Sequence, residues 1–108
     1  MQMAEIKFSP EALADLKQTR TYISQELCNE QAAINTVSAI MNRIRMLADF
    51  PDSGAPLSSI VDIVANYRFL VCGNYTVFYR YERNTVYIVR VIYGRRDFMR
   101  ILFGAGSE

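Results

Sequence analysis

The chain has 108 residues, 51% of them hydrophobic, a net charge of +1 and no histidine. That length suits a core of its own and reads as a single domain over residues 1–108. The hydrophobic fraction argues against disorder, no apolar run approaches the ~20 residues of a membrane span, and the missing histidine removes Ser-His-Asp and Cys-His nucleophilic sites and the commonest metal ligand.

Residues 4–8 alternate like a short strand. Ser9, Pro10 and Glu11 then start a helix: a capping hydroxyl, a proline at the first helical position, and an acid at the positive end of the dipole. Leu13, Leu16, Ile23 and Leu27 recur at helical spacing, with Tyr22 beside them, and the helix is expected to end near Cys28 and Asn29. A second helix is predicted over residues 30–49 with the stripe Ile34, Val37, Met41, Ile44 and Leu47. The short link makes the pair an antiparallel hairpin. Two prolines and a glycine over residues 50–56 break the helix. Residues 58–66 read equally as one helical turn or a packed loop.

Residues 67–93 hold three β-rich runs separated by Gly73-Asn74 and Arg83-Asn84, two-residue links of the kind that hairpins use. They predict an antiparallel meander with Cys72 opposite Tyr75 and Glu82 opposite Thr85. Side chains then sort by parity. Arg68, Leu70, Val77, Tyr79, Ile88, Arg90 and Ile92 share one face; Phe69, Val71, Thr76, Phe78, Arg80, Val91 and Tyr93 share the other. Both faces are largely apolar, unlike those of a sheet with one wet side. The helical hairpin covers one. Residues 97–103, a short helix or last strand, are expected to cover part of the other, leaving an apolar groove flanked by arginine for a partner chain. A homodimer, or shielding by residues 58–66, is the alternative. The fold expected is α+β: an N-terminal strand and α-helical hairpin on an antiparallel meander, with a short C-terminal segment.

Charge is uneven: residues 1–66 hold five Lys/Arg against eight Asp/Glu, and residues 67–108 hold seven Arg against three acids. Arginine favours planar contacts with carboxylates and phosphates. Arg80, Arg95, Arg96 and Arg100 are therefore the candidates for contact with a target or partner, an acidic protein or a nucleic acid. Arg68 and Arg90, on an apolar face, call for a carboxylate, and Asp97 stands nearest in sequence, so these three are expected to form a structural charge cluster. The tyrosines either fill the sheet core or stack on bases. Cys28 and Cys72 lack metal-ligand spacing and read as small buried hydrophobes in a reducing compartment. With no signal peptide in residues 1–8, the expected location is the cytoplasm. No glycine-rich phosphate loop or acid pair stands out, and neither metal nor cofactor is expected.

Phe-Pro-Asp-Ser-Gly-Ala-Pro-Leu at 50–57, Tyr-Arg-Phe-Leu-Val-Cys-Gly-Asn-Tyr at 67–75 and Arg-Val-Ile-Tyr-Gly-Arg-Arg-Asp at 90–97 resemble the ParE branch of the RelE/ParE toxin superfamily. The resemblance implies the toxin of a bacterial type II toxin–antitoxin operon, wrapped by the partly disordered C-terminal part of its antitoxin, as a heterotetramer or with a toxin homodimer. ParE-like members inhibit DNA gyrase; RelE-like members are endoribonucleases that cut mRNA on the ribosome with basic residues and a tyrosine. Against the RelE-like pattern, Thr76 replaces an arginine, Leu102 stands where the tyrosine falls, and Arg96 alone matches as a catalytic candidate. The ParE-like reading is therefore preferred, with the RNase and a non-toxic interaction module as alternatives.

Overall fold

The computed structural model describes residues 3–57 and 67–94 together with Leu102. Strand β1 (Glu5–Phe8) leads into helix α1 (Pro10–Thr21), a π-helical turn (Tyr22–Glu26) and helix α2 (Glu30–Met46). Strands β2 (Ala55–Pro56), β3 (Tyr67–Cys72), β4 (Tyr75–Glu82) and β5 (Thr85–Tyr93) follow. The sheet order is β1-β5-β4-β3-β2, with β1 parallel to β5 and every other pair antiparallel. Two helices on a five-stranded mixed sheet make an α+β fold.

Local chemistry accounts for most boundaries. The Ser9 hydroxyl accepts from Ala12 N–H at 2.9 Å with Pro10 at the first helical position. Asn29 caps α2 in the same way, accepting from Ala32 N–H at 2.9 Å. Arg83 and Asn84 both take positive φ, and Gly73 sits at φ 60°, the backbone that tight hairpins require. Cys72 faces Tyr75 and Glu82 faces Thr85, the register that the turn spacing predicts.

Burial corrects the helical stripes. The inward face of α1 is Ala12, Asp15, Leu16 and Thr19, and that of α2 is Ala33, Ile40 and Ile44. Leu13, Leu27 and Ile34 instead stand exposed. Ala12 and Ala33, both at 0% exposure, take the innermost positions: a small residue lets a helix sit close to its neighbour, and this turns the bulkier leucines outward. Cys28 is likewise exposed, at φ 51°, because it is the left-handed residue that closes the α1–α2 link.

The main core lies between helices and sheet, where Leu16, Ile40, Ile44 and Leu47 join Leu70, Val77, Tyr79, Val86, Ile88 and Val91. A smaller cluster on the opposite face unites Leu57, Phe69, Phe78 and Ile92, with Tyr67 and Leu102 packed on it. Leu102 is helical; the rest of the 97–103 segment, and residues 58–66, lie outside the described residues.

One irregularity resets the parity of β5. Phe78 faces Arg90 while Tyr79 faces Ile88, so Val89 is an extra residue in a β-bulge. Beyond it Val91 joins the helix-side core and Ile92 the opposite cluster. Both are the reverse of what strict alternation predicts. Tyr93 pairs with Tyr75 and so also changes side.

The loop after α2 is tied to the sheet by Tyr79. Its buried hydroxyl donates to Pro51 C=O at 2.8 Å and accepts from Gly54 N–H at 2.9 Å. Arg68 clamps the same loop from β3, donating to Gly54 C=O at 2.7 Å and Asp52 C=O at 3.3 Å. A Cβ on Gly54 would lie 2.8 Å from Phe69 O and 2.6 Å from the Tyr79 hydroxyl. Denaturant unfolding of Tyr79→Phe is expected to show a loss of about 1–2 kcal/mol, the cost of stranding a buried donor and acceptor, with Gly54→Ala losing more through the backbone clash. Burial raises the Tyr79 pKa above its usual 10.0, against the Gly54 hydrogen bond and Arg68, which lower it. The folded state therefore holds the proton more tightly than the unfolded one. The stability from this group is whole below about pH 10 and declines as pH rises through the folded-state pKa. Tyr79→Phe should flatten part of that alkaline decline.

Candidate partner-binding cleft

Helix α1 does not continue regularly into the hairpin. At Tyr22 it widens into the π-helical turn, with Leu27 N–H donating to Tyr22 C=O at 3.3 Å. Such turns recur at functional sites because the extra residue re-aims the side chains beside it. Here a cleft of about 750 Å³ opens between the turn, the start of β4 and the end of β5, lined by Tyr22, Ile23, Leu27, Tyr75 and Tyr93 among others. Tyr75 and Tyr93 meet edge to face, with ring centroids 5.5 Å apart. Tyr22, Leu27 and Tyr93 are each more than half exposed, so the rim is a large apolar surface open to solvent. Burial raises the Tyr75 pKa, opposed by a hydrogen bond with Thr19, so its hydroxyl stays neutral at physiological pH.

The cleft floor is charged but already satisfied. Asp15, from the buried face of α1, accepts from Arg90 Nε at 2.7 Å, from Arg90 Nη2 at 2.8 Å and from Val91 N–H at 2.9 Å. The hydrogen bond with Asp15 raises the Arg90 pKa despite partial burial, so the guanidinium stays protonated. Neither side chain is left for chemistry on a ligand. What the cleft offers is apolar contact at its rim, with neutral polar groups among the lining residues.

On the other face of the sheet a shallower hollow of about 420 Å³ lies over Val71, Thr76 and Tyr93. Thr76 is 2% exposed. Tyr93, at the end of β5, lines both hollows.

The expected charge cluster divides. Arg90 pairs with Asp15, while Arg68 turns to the loop and lies 4.0 Å from Asp52 Oδ1. The two arginines leave the sheet toward different elements, one toward α1 and one toward the loop before β2. Asp97, Arg95, Arg96 and Arg100 lie outside the described residues. Arg80 is 3.4 Å from Glu82 and sits 5.2 Å over the Tyr87 ring, so its guanidinium already has contacts within the chain. Sequence reasoning missed Asp15. The signal was present: Ala12, Asp15, Leu16 and Thr19 are spaced as one helix face, and an acid on such a face needs a buried base. The π-helical turn leaves no comparable trace.

A family model for the ParE toxin of type II toxin–antitoxin systems (parDE) matches residues 6–98. The chain belongs to the ParE toxin family. Among solved structures, this ParE-family chain resembles one from the chromosomal ParDE toxin–antitoxin system of P. aeruginosa, with a TM-score of 0.71 and 21% identity over 85% of this chain and 97% of that one. It also resembles a chain of the RelBE2 toxin–antitoxin complex from Mycobacterium tuberculosis, with a TM-score of 0.61 and 22% identity over 84% of this chain and 98% of that one. These likenesses speak to the fold. Comparison with the curated proteins returned no match. No helix among the described residues of this ParE-family chain is long and apolar enough to cross a membrane.

Asp15→Ala would leave Arg90 without its carboxylate and Val91 N–H without an acceptor. Thermal and denaturant unfolding should report a loss of about 3 kcal/mol, the range for breaking a largely buried ion pair from one side.

Proposed function

We propose that the chain is the toxin of a type II toxin–antitoxin pair, neutralised by a partner antitoxin, and that the free toxin inhibits DNA gyrase by binding to it and does not cut RNA. The reading rests on what occupies the two positions at which the RelE-like pattern carries an arginine and a tyrosine. Thr76 is 2% exposed, and Leu102 packs on the cluster of Leu57, Phe69, Phe78 and Ile92. An inward threonine and a partly buried, packed leucine supply neither a cation for a phosphate nor a phenol for proton transfer, the two things that metal-free RNA cleavage needs. Target contact then falls to the basic segment after β5, with Arg95 and Arg96 at its start in the sequence and Arg100 beyond, together with Arg80 on the sheet.

The antitoxin reading is supported by the cleft. Tyr22, Leu27 and Tyr93 present large exposed apolar side chains around one opening. A segment that folds on binding covers such a surface.

Supercoiling assays with purified toxin decide the mechanism: inhibition near stoichiometric toxin is expected, and unaffected gyrase at large excess together with codon-linked cuts in translated mRNA would replace it with the RNase. Arg96→Ala is expected to relieve growth arrest on induction while keeping the wild-type melting temperature. Leu27→Asp and Tyr93→Ala, both at exposed positions, should each weaken antitoxin binding by about tenfold or more in calorimetric titration, with the folded circular dichroism spectrum unchanged.

A further inference from the structure

Among the described residues the outer edge of β1 pairs with no other strand and carries a second surface, distinct from the cleft. Glu5 N–H donates to Asn84 C=O at 3.0 Å, just before β5, and Ser9 N–H donates to Ile88 C=O at 2.9 Å within it. Alternate residues of a strand address opposite neighbours, so Ile6 and Phe8 turn their N–H and C=O groups outward, away from β5. At the N-terminal end the edge is closed, because Ala4 N–H already donates to Ala48 C=O at 2.8 Å. Among the described residues the open stretch is therefore Ile6 to Phe8. The side chains of Ile6 and Phe8 pack on the main core yet remain half-buried, so the core is not roofed there. Between them Lys7 is exposed, and among the described residues it has no ion pair.

A second copy fits this edge poorly. The antiparallel register that uses both open residues sets Ile6 against the other copy's Phe8 and brings Lys7 face to face with its own counterpart, which repels. A lysine on an edge strand commonly guards it in this way. The same charge attracts an acid.

We infer that the β1 edge accepts an extended segment of a partner protein, paired antiparallel, that carries an acidic residue opposite Lys7 between apolar residues opposite Phe8 and Ile6. Such a strand gains the outward N–H and C=O groups of both residues, covers two half-buried core side chains and neutralises the lysine. The inference does not depend on whether the toxin acts on gyrase or on RNA.

The test is an NMR titration of the folded chain with two ten-residue peptides, one centred on Val-Glu-Val and one on Val-Lys-Val, repeated with Lys7→Glu. Binding of the Glu peptide should perturb and protect the Ile6 and Phe8 amides. Wild type should prefer the Glu peptide by about threefold, a cross-strand ion pair being worth a fraction of a kcal/mol to about 1 kcal/mol, and Lys7→Glu should reverse the preference. Equal binding of both peptides, perturbation at the Tyr22–Tyr93 cleft with β1 untouched, or protection of Ile6 and Phe8 by self-association of the chain alone would each overturn the proposal. Lys7 is exposed, so the variant keeps the fold, which the unperturbed remainder of its spectrum verifies.

Discussion

The architecture depends on how α1 grips the bulge in β5. Three consecutive residues are held by one helix: the Ser9 hydroxyl donates to Val89 C=O at 2.7 Å, while Asp15 takes the Arg90 guanidinium and Val91 N–H. Ser9 does this while capping its own helix, and Asp15 does it from a side chain about a tenth exposed. A bulge leaves one residue of a strand out of the ladder, and its polar groups need partners from elsewhere. Here the helix supplies them. In return the bulge places Val91 under α1 and sends Ile92 to the far side, exchanging the places that strict alternation would give them.

The second constraint is the approach of the 50–54 loop. Tyr79 brings its hydroxyl through the core to Pro51 and Gly54, and Arg68 closes over them. These bonds fix where the chain leaves α2, and so where the two-residue β2 meets β3 at Phe69 and Arg68. Leu57 follows directly and enters the far-side cluster. Polar contacts on one face of the sheet thus decide which apolar residue seals the other.

The first of these anchors is also the floor of the cleft. Past the bulge β5 runs to Tyr93, and past Thr21 the helix widens; the exposed aromatic and aliphatic side chains gather where these two meet. The charged groups of the cleft floor are consumed internally, so recognition there rests on shape and apolar area. A partner that orders itself on the surface suits such a site better than a small charged ligand does. The buried Thr76 and packed Leu102 make the far face a stability element.

Much of this was legible in the residues. The cap at Ser9, the turns at Gly73 and at Arg83-Asn84, and the meander register are local events set by neighbours within four residues, where side-chain chemistry and backbone preference speak directly. Motifs in residues 50–57, 67–75 and 90–97 carried the family. What sequence alone left undecided came from contacts between distant segments. The bulge at Val89 costs nothing that local propensity registers, yet it reverses the facing of Val91, Ile92 and Tyr93. Asp15 finds Arg90 only because β5 lies beneath α1, whereas proximity in the chain pointed to Asp97. The exposure of Leu13, Leu27 and Ile34 follows from alanines taking the innermost places, a choice made by the spacing of packed elements. Hydrophobic periodicity tells a helix that it has an inside; only the packing partner determines which of its residues that inside contains.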